Sequence, residues 1–221
     1  PGGTMASSTS MKITVKGRQA HGAYPWSSVD PIVTAAQIIN NLQTVVSRNL
    51  NVTENGGVVS IGSIHAGNRS NIIPETSEMM GTIRALDTAD ERMIIRRVRE
   101  VATHTAESMG ATAEVKIPYS VHYPITYNDP TLTAKMLPSL QSAAGTDNVF
   151  IKTATTGAED FSFYGQKAPA LYITLGGMPK GADPKKAPSH HTPDFYIDES
   201  GFVVGIKALA FLAVDYLESV K

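Results

Sequence analysis

Four places in this 221-residue sequence carry side chains able to do chemistry. The first is His190-His191-Thr192-Pro193. Imidazole is a common zinc ligand, and Pro193 stiffens the backbone behind it. The run reads equally as two surface histidines in a polar loop, because no carboxylates or cysteines stand beside it at ligand spacing. The second is Gly157-Ala158-Glu159-Asp160-Phe161. Adjacent carboxylates in a glycine-led loop can bind a cation or orient an amine, and acids in a first helical turn also simply complement the helix dipole. The third is His21-Gly22-Ala23, after a strand and before a proline-bearing loop. A histidine at a loop tip can donate to a developing oxyanion, or be merely solvated. The fourth is Asn71 with Arg84. Asn71 opens Asn-Ile-Ile-Pro ahead of a strand that contains Arg84. Guanidinium grips a carboxylate at two points, which suits a substrate with an α-carboxylate; a structural salt bridge on the sheet surface is the other reading. No glycine-rich phosphate loop is present, since the glycines at 56, 57, 62 and 67 lack a strand-turn-helix setting. There is no Gly-x-Ser-x-Gly elbow either.

The elements that must position these residues follow from periodicity. Met11, Ile13 and Val15 alternate with polar residues and predict a strand over 10–17. Asp30-Pro31 supplies a cap and a first-turn proline for a helix with Ile32, Ala36, Ile39, Leu42 and Val46 on its stripe. Residues 57–65 and 77–85 predict strands, the former with Val59, Ile61 and Ser63 on one face. Thr88-x-x-Glu91 reads as a capping box, followed by an Ile94, Ile95, Val98, Val101, Ala102 stripe and a closing Gly110. Ala113, Val115 and Ile117 alternate in the next strand. The order β-α-β-β-α-β is the ferredoxin-like arrangement, a four-stranded antiparallel sheet with two helices on one face.

After a connector over 119–130 the pattern changes. A helix is predicted over 131–144, a short strand over 149–152, a buried strand over Ala170 to Leu175, and a last helix from near Glu199. This order suggests part of an α/β layer with too few strands for a complete domain. The expected fold is therefore α/β, with an α+β ferredoxin-like unit in front.

Nineteen Lys+Arg against twenty Asp+Glu give a net charge of -1, so no field of one sign is available to hold nucleic acid or an anionic membrane. There is no Cys, hence no disulfide framework. Apolar stretches read as too short to span a bilayer. Compartment stays open, with the cytoplasm favoured. The opening Pro1-Gly2-Gly3-Thr4 has no initiator Met and reads as the interior of a longer protein or an artificial boundary.

Taken in order, several short motifs make the chain resemble one family along essentially its whole length. They are Met5-Ala6-Ser7, Lys16-Gly17-Arg18-Gln19-Ala20-His21-Gly22-Ala23-Tyr24-Pro25, Asp30-Pro31-Ile32, Asn71-Ile72-Ile73-Pro74 and Gly81-Thr82-Ile83-Arg84. Gly157-Ala158-Glu159-Asp160-Phe161 and His191-Thr192-Pro193-Asp194-Phe195 complete the set. The chain is similar to the aminoacylase, hippurate hydrolase and indoleacetyl-amino-acid hydrolase branch of the binuclear-metal amidohydrolases and peptidases.

The resemblance implies three segments: residues 1–9 ending one part of a catalytic domain, 10–122 forming a lid that dimerises, and 123–221 returning to the catalytic domain. It implies two divalent ions, zinc or manganese, with His191 as the last ligand. It implies that His21 stabilises the tetrahedral intermediate, usually in the partner subunit's site. Asn71 and Arg84 would hold a substrate carboxylate, and Gly157 and Glu159 would line the site. The substrate would be an N-acyl amino acid or a small peptide, and the assembly a homodimer through the lid. The family's remaining ligands and its general-base Glu lie before the lid, so this chain by itself is expected to be inactive and not to hold both ions. Trp26 departs from the family, where His often follows the proline. Two alternatives stay open: a non-catalytic dimerisation or binding module, and a metallo-carboxypeptidase.

Overall fold

A computed structural model describes the chain from Pro1 to Lys221, the side chain of Pro184 excepted. It is a mixed helix-and-sheet structure of two compact units. One comprises Gly3–Tyr127 and Ala154–Ala168; the other comprises Pro1–Gly2, Asn128–Thr153 and Pro169–Lys221.

In the first unit a short strand β1 (Gly2–Met5) leads into β2 (Ser8–Lys16), and β3 (Ala20–His21) follows. Helix α1 (Pro31–Asn49) precedes β4 (Gly57–Ala66), β5 (Ile72–Ile73) and β6 (Thr76–Ala85). Helix α2 (Thr88–Ser108), β7 (Thr112–Lys116), β8 (His122–Tyr123) and β9 (Thr126–Asn128) complete the run. The main sheet has the order β4-β6-β2-β7 with antiparallel pairing throughout, and β8 adds to the end of β2. This is the expected βαββαβ topology. Met11, Ile13 and Val15 on β2, Met79 and Ile83 on β6, and Ile38, Leu42, Ile94 and Val98 on the helices are fully buried together. Alternation sends odd residues of β2 and β6 into that core and even ones to the open face.

Three details differ from the expectation. The buried stripe of α1 is Pro31, Thr34, Ala35, Ile38, Leu42 and Val45, rotated from the predicted one, and Ile32 is exposed. Thr34 belongs inside because its hydroxyl donates to the Asp30 carbonyl at 2.7 Å, so it brings no unsatisfied polar group. On β4 a bulge at Gly62 shifts the register between Ile61 and Ser63, so Ser63 lies opposite Met80 and leaves the Val59–Ile61 face. At α2 the cap is Asp87, which accepts from Ala89 and Asp90 amides; Thr88 is already helical. Glu91 instead accepts from the Thr9 hydroxyl at 2.9 Å, nearly buried.

In the second unit, α3 (Pro130–Ala144) is capped by Asp129 and ends at Gly145, with φ of 87°. It packs against α5 (Phe202–Glu218). A one-turn helix, α4 (Ser162–Gly165), belongs to the first unit. Neither predicted strand of the second half forms. Phe150 and Ile151 are exposed, with no ladder partner among the described residues. Ala170 to Leu175 is held instead by Asn128, which accepts from the Tyr172 amide at 2.7 Å and donates to the Tyr172 carbonyl at 2.8 Å, and by the Asp129 amide, which donates to the Ala170 carbonyl at 2.9 Å. Leu175 is exposed, so the segment is not buried on both faces. The expectation about apolar length is corrected too: Glu199–Glu218 has a mean hydropathy of 1.6 and is long and apolar enough to cross a membrane by those two measures.

Candidate active site

The loop that carries His21 is built rather than slack. At its neck, Arg18 and Val29 exchange backbone hydrogen bonds at 2.9 and 3.1 Å, and Arg18 Nε donates to the Ser27 carbonyl at 3.0 Å. Gly17 is required there, because a Cβ would sit 2.1 Å from the Val29 oxygen. At its tip, Ala20 and His21 pair with Ile73 and Ile72, and the Gly22 amide donates to the Asn71 carbonyl at 2.7 Å. A cleft of about 450 Å³ lined by Gln19, Asn68, Ile72 and Glu75 lies beside it.

His21 is exposed, and its chemistry is set by one contact. The Ala23 amide donates to Nδ1 at 3.1 Å. An Nδ1 that accepts must carry a lone pair, which assigns the proton of the neutral ring to Nε2. The exposed edge of the ring is therefore a hydrogen-bond donor. The ring also packs on Tyr24 at 5.5 Å, and Tyr24 meets Trp26 edge-on at 5.6 Å. In the sequence Tyr24 stood only within a motif, and Trp26 only as a departure from the family bearing on lid packing or substrate fit; their contact with His21 was not foreseen.

Arg84, Gly157 and Glu159 belong to the other end of the same sheet. Ser7 donates to the Ala85 carbonyl at 2.8 Å, and just beyond it Met5 bridges Thr155, with Ala6 donating to the Thr155 carbonyl at 3.0 Å. Gly157 packs against Met5, where a Cβ would meet Met5 Cε at 3.1 Å. Glu159 is half-buried; its Oε1 accepts from the Asp160 amide at 3.1 Å, and its carbonyl accepts from Ser162. Both acids precede the single turn of α4, so they do not lie in its first turn. Arg84, flanked by buried Ile83 and Ala85, projects from the open face opposite Val58. The ion pairs of that face are Lys12 with Glu78 at 2.7 Å and Glu114 with Lys116 at 3.1 Å and Lys16 at 3.7 Å. Arg84 joins no ion pair among the described residues, so it is not a structural salt bridge.

From Thr76, next to the His21 loop, to Arg84 is eight residue steps of β6, about 27 Å at the usual strand rise. Within one chain, then, His21 and Asn71 come together, and Arg84 lies at the far end with Gly157 and Glu159. Asn71 and Arg84, both expected at a substrate carboxylate, thus stand at opposite ends of β6 within one chain.

The hydrogen bond from Lys12 holds Glu78 below the ordinary 4.5, and the same bond holds Lys12 above 10.5. Lys116 likewise lowers Glu114, and the Ser200 amide lowers Asp198.

In the other unit, His190 packs on Phe195 at 4.7 Å. His191 is exposed and has φ of 63°, the one non-glycine residue in the left-handed region among the described residues. That conformation costs on the order of 1 kcal/mol for a non-glycine residue. Thr192 Oγ1 donates to the Ser189 carbonyl at 2.7 Å and helps fix the turn. No three His, Asp, Glu or Cys side chains converge as a metal site among the described residues.

The sequence pattern of the peptidase dimerisation domain matches residues 6–109. The chain is 36% identical over 220 residues to thermostable carboxypeptidase 2 of Saccharolobus solfataricus, covering 97% of this chain and 53% of that protein. It is 36% identical to N-acetylcysteine deacetylase of Bacillus subtilis, over 100% of this chain and 55% of that protein. Among solved structures, a putative aminohydrolase from Staphylococcus aureus superposes with a TM-score of 0.84 at 27% identity, over 98% of this chain and 54% of that one. YXEP of Bacillus subtilis, described as a dinuclear metal-binding peptidase, superposes at 0.72 with 31% identity, over 98% and 52%. The chain thus spans about half the length of the relatives it matches. With its motifs, its βαββαβ topology and these likenesses in agreement, the chain belongs to the M20 peptidase family and carries that family's dimerisation domain.

Proposed function

We propose that this chain is part of a hydrolase that cleaves the amide bond of N-acyl amino acids, working as a homodimer. Residues 10–122 act as the lid and 123–221 as returning catalytic-domain sequence. The observation that carries the reading is the separation of about 27 Å along β6 between the His21 end and the Arg84 end. One amide cannot touch both ends of one sheet. Two copies related by a twofold axis can bring the His21 tip of one to the Gly157–Glu159 end of the other. β4 ends the sheet as an edge strand and α1 leaves Ile32 and Val33 exposed, which makes them the proposed face for that pairing.

In this arrangement His21 Nε2–H donates to the carbonyl oxygen as charge develops, worth on the order of 3 kcal/mol. Arg84 binds the carboxylate of the amino-acid half at two points. Asn71 of the partner copy approaches the same group, and Gly157 leaves room for the substrate beside Glu159. Two divalent ions, zinc or manganese, are the proposed cofactor of the whole protein; such a pair supplies an activated water and a polarised carbonyl. His191 is the residue here proposed as a ligand. Among the described residues, the donors do not make a site for the pair.

Similarity to carboxypeptidases equals that to a deacetylase, at 36%. Cleavage of a C-terminal residue is therefore the second reading; both need a carboxylate next to the scissile amide, which suits Arg84. The test is hydrolysis of N-acetyl amino acids against dipeptides, by the 221-residue chain and by the protein expressed with whatever its reading frame encodes before Pro1. We expect turnover by the longer protein, loss of it on chelation, and none by the chain alone. Turnover by the chain alone would overturn the reading.

A further inference from the structure

We propose that Tyr24 and Trp26 form the wall that receives the acyl half of the substrate and sets a preference for planar apolar acyl groups over acetyl. The inference rests on the shared-site reading above. His21, Tyr24 and Trp26 stack in series, and steps of 5.5 and 5.6 Å put the indole within about 11 Å of the imidazole. A scissile carbonyl on His21 Nε2–H therefore has its acyl substituent within reach of these rings. The outer ring is left in water: Trp26 is 77% exposed and Tyr24 55%.

The backbone that carries the rings is held in place. The Tyr24 amide donates to the His21 carbonyl at 2.8 Å, and the Ser27 and Ser28 amides close the Pro25–Ser27 turn through backbone bonds of 3.1 and 3.0 Å. The hydroxyls of Ser27 and Ser28 add bonds of 2.8 and 2.7 Å to the carbonyls of Tyr24 and Pro25. With Arg18 pinning the Ser27 carbonyl, the loop backbone has little conformational freedom left to lose when a ligand docks.

Charge decides which half of the substrate meets this wall. Residues 19 to 29 contain no Asp, Glu, Lys or Arg; Arg18, just before them, is turned to Ser27, and Arg69 lies on the facing loop rather than on the aromatic one. An N-acyl amino acid has a carboxylate on one side of its amide and an acyl group on the other. The carboxylate side requires a cation such as Arg84, so the uncharged aromatic side takes the acyl group. A flat ring there gains edge and face contacts that acetyl cannot make.

The test compares N-benzoyl-alanine with N-acetyl-alanine in the full-length protein. We expect Trp26→Ala to lower the benzoyl-to-acetyl ratio of kcat/KM about tenfold, and Trp26→Phe to restore most of it. A residue that only holds the loop or the dimer would lower both rates alike, and an unchanged ratio overturns the proposal. Emission of Trp26, the single tryptophan of these 221 residues, gives a second readout independent of turnover. The signal is taken as wild type minus Trp26→Phe. Quenching by N-benzoyl-alanine well below the concentration of N-acetyl-alanine that does so supports the wall even if neither amide is hydrolysed, in which case only the hydrolase reading falls. Equal quenching, or none, sinks the wall itself.

Discussion

The Gly22 amide and the Asn71 carbonyl meet at 2.7 Å, and this bond joins the loop that presents His21 to the loop that presents Asn71. Both loops therefore move as one tip at one end of the sheet. A Cβ on Gly22 would lie 3.2 Å from that carbonyl oxygen, so the contact leaves little room for a side chain. The tip presents the His21 Nε2–H donor on two loops tied together by this bond.

Removing the donor should slow chemistry more than binding. In the full-length protein His21→Ala is expected to reduce kcat by 10² to 10³ with little change in KM, as for other oxyanion donors. Steady-state kinetics check it; a rise in KM alone would mean that the ring binds substrate without stabilising the reaction.

Arg84 should show the reverse. Arg84→Lys keeps the charge but loses the two-point grip, and KM for an N-acyl amino acid is expected to rise about tenfold or more. The corresponding amide of the substrate, which has no carboxylate, should be insensitive to the substitution. Equal effects on both substrates would remove Arg84 from the carboxylate site.

Lid stability should depend on close approach and on capping. At Gly81 a Cβ would meet the Ser60 oxygen at 2.2 Å and Met11 Cε at 2.6 Å. Gly81→Ala is expected to cost at least about 2 kcal/mol, because backbone must separate. Asp30→Ala removes the bonds to Ile32 and Val33 amides and should cost about 1 kcal/mol. Thermal unfolding of the variants ranks them; a larger loss from Asp30→Ala than from Gly81→Ala would contradict this packing.

Acid sensitivity of the sheet's open face should trace in part to Glu78. Its carboxyl is held below 4.5 by Lys12, so its contribution is present above that value and is lost as pH falls through the lowered one. Wild type and Glu78→Gln should therefore differ in stability near neutral pH and converge once pH has fallen through that lowered value. A constant difference across that range would show that the ion pair does not contribute through charge. Lys12 acts in the opposite direction: its contribution is present below 10.5 and is lost as pH rises through its raised value.

The βαββαβ unit was legible in the sequence because each of its elements carries a local signal. The period-two run of Met11, Ile13 and Val15, the Asp30-Pro31 cap and Gly110 with φ of 75° each mark a boundary that needs no distant partner. The phase of α1 was not legible, because burial of Thr34 depends on its bond to Asp30 rather than on hydrophobicity. The second half misled for another reason. Apolar runs such as Ala170 to Leu175 predict strands, but a strand needs a neighbour, and here Asn128 takes that place. For the site, residue identities were readable from motifs, and their distribution between two ends of one sheet was not. That distribution is a consequence of strand length and register, which only the fold supplies.

The shared site can be tested by mixing two defective proteins, each expressed with whatever its reading frame encodes before Pro1. One carries His21→Ala and the other Glu159→Ala, and each alone is expected to have little activity. After the subunits are exchanged at equal amounts, half of the dimers are mixed, and each mixed dimer has one site with both side chains intact. The account predicts recovery to about a quarter of wild-type activity. Activity that stays at the level of the separate variants, with exchange verified, would mean that His21 and Glu159 do not meet across the dimer.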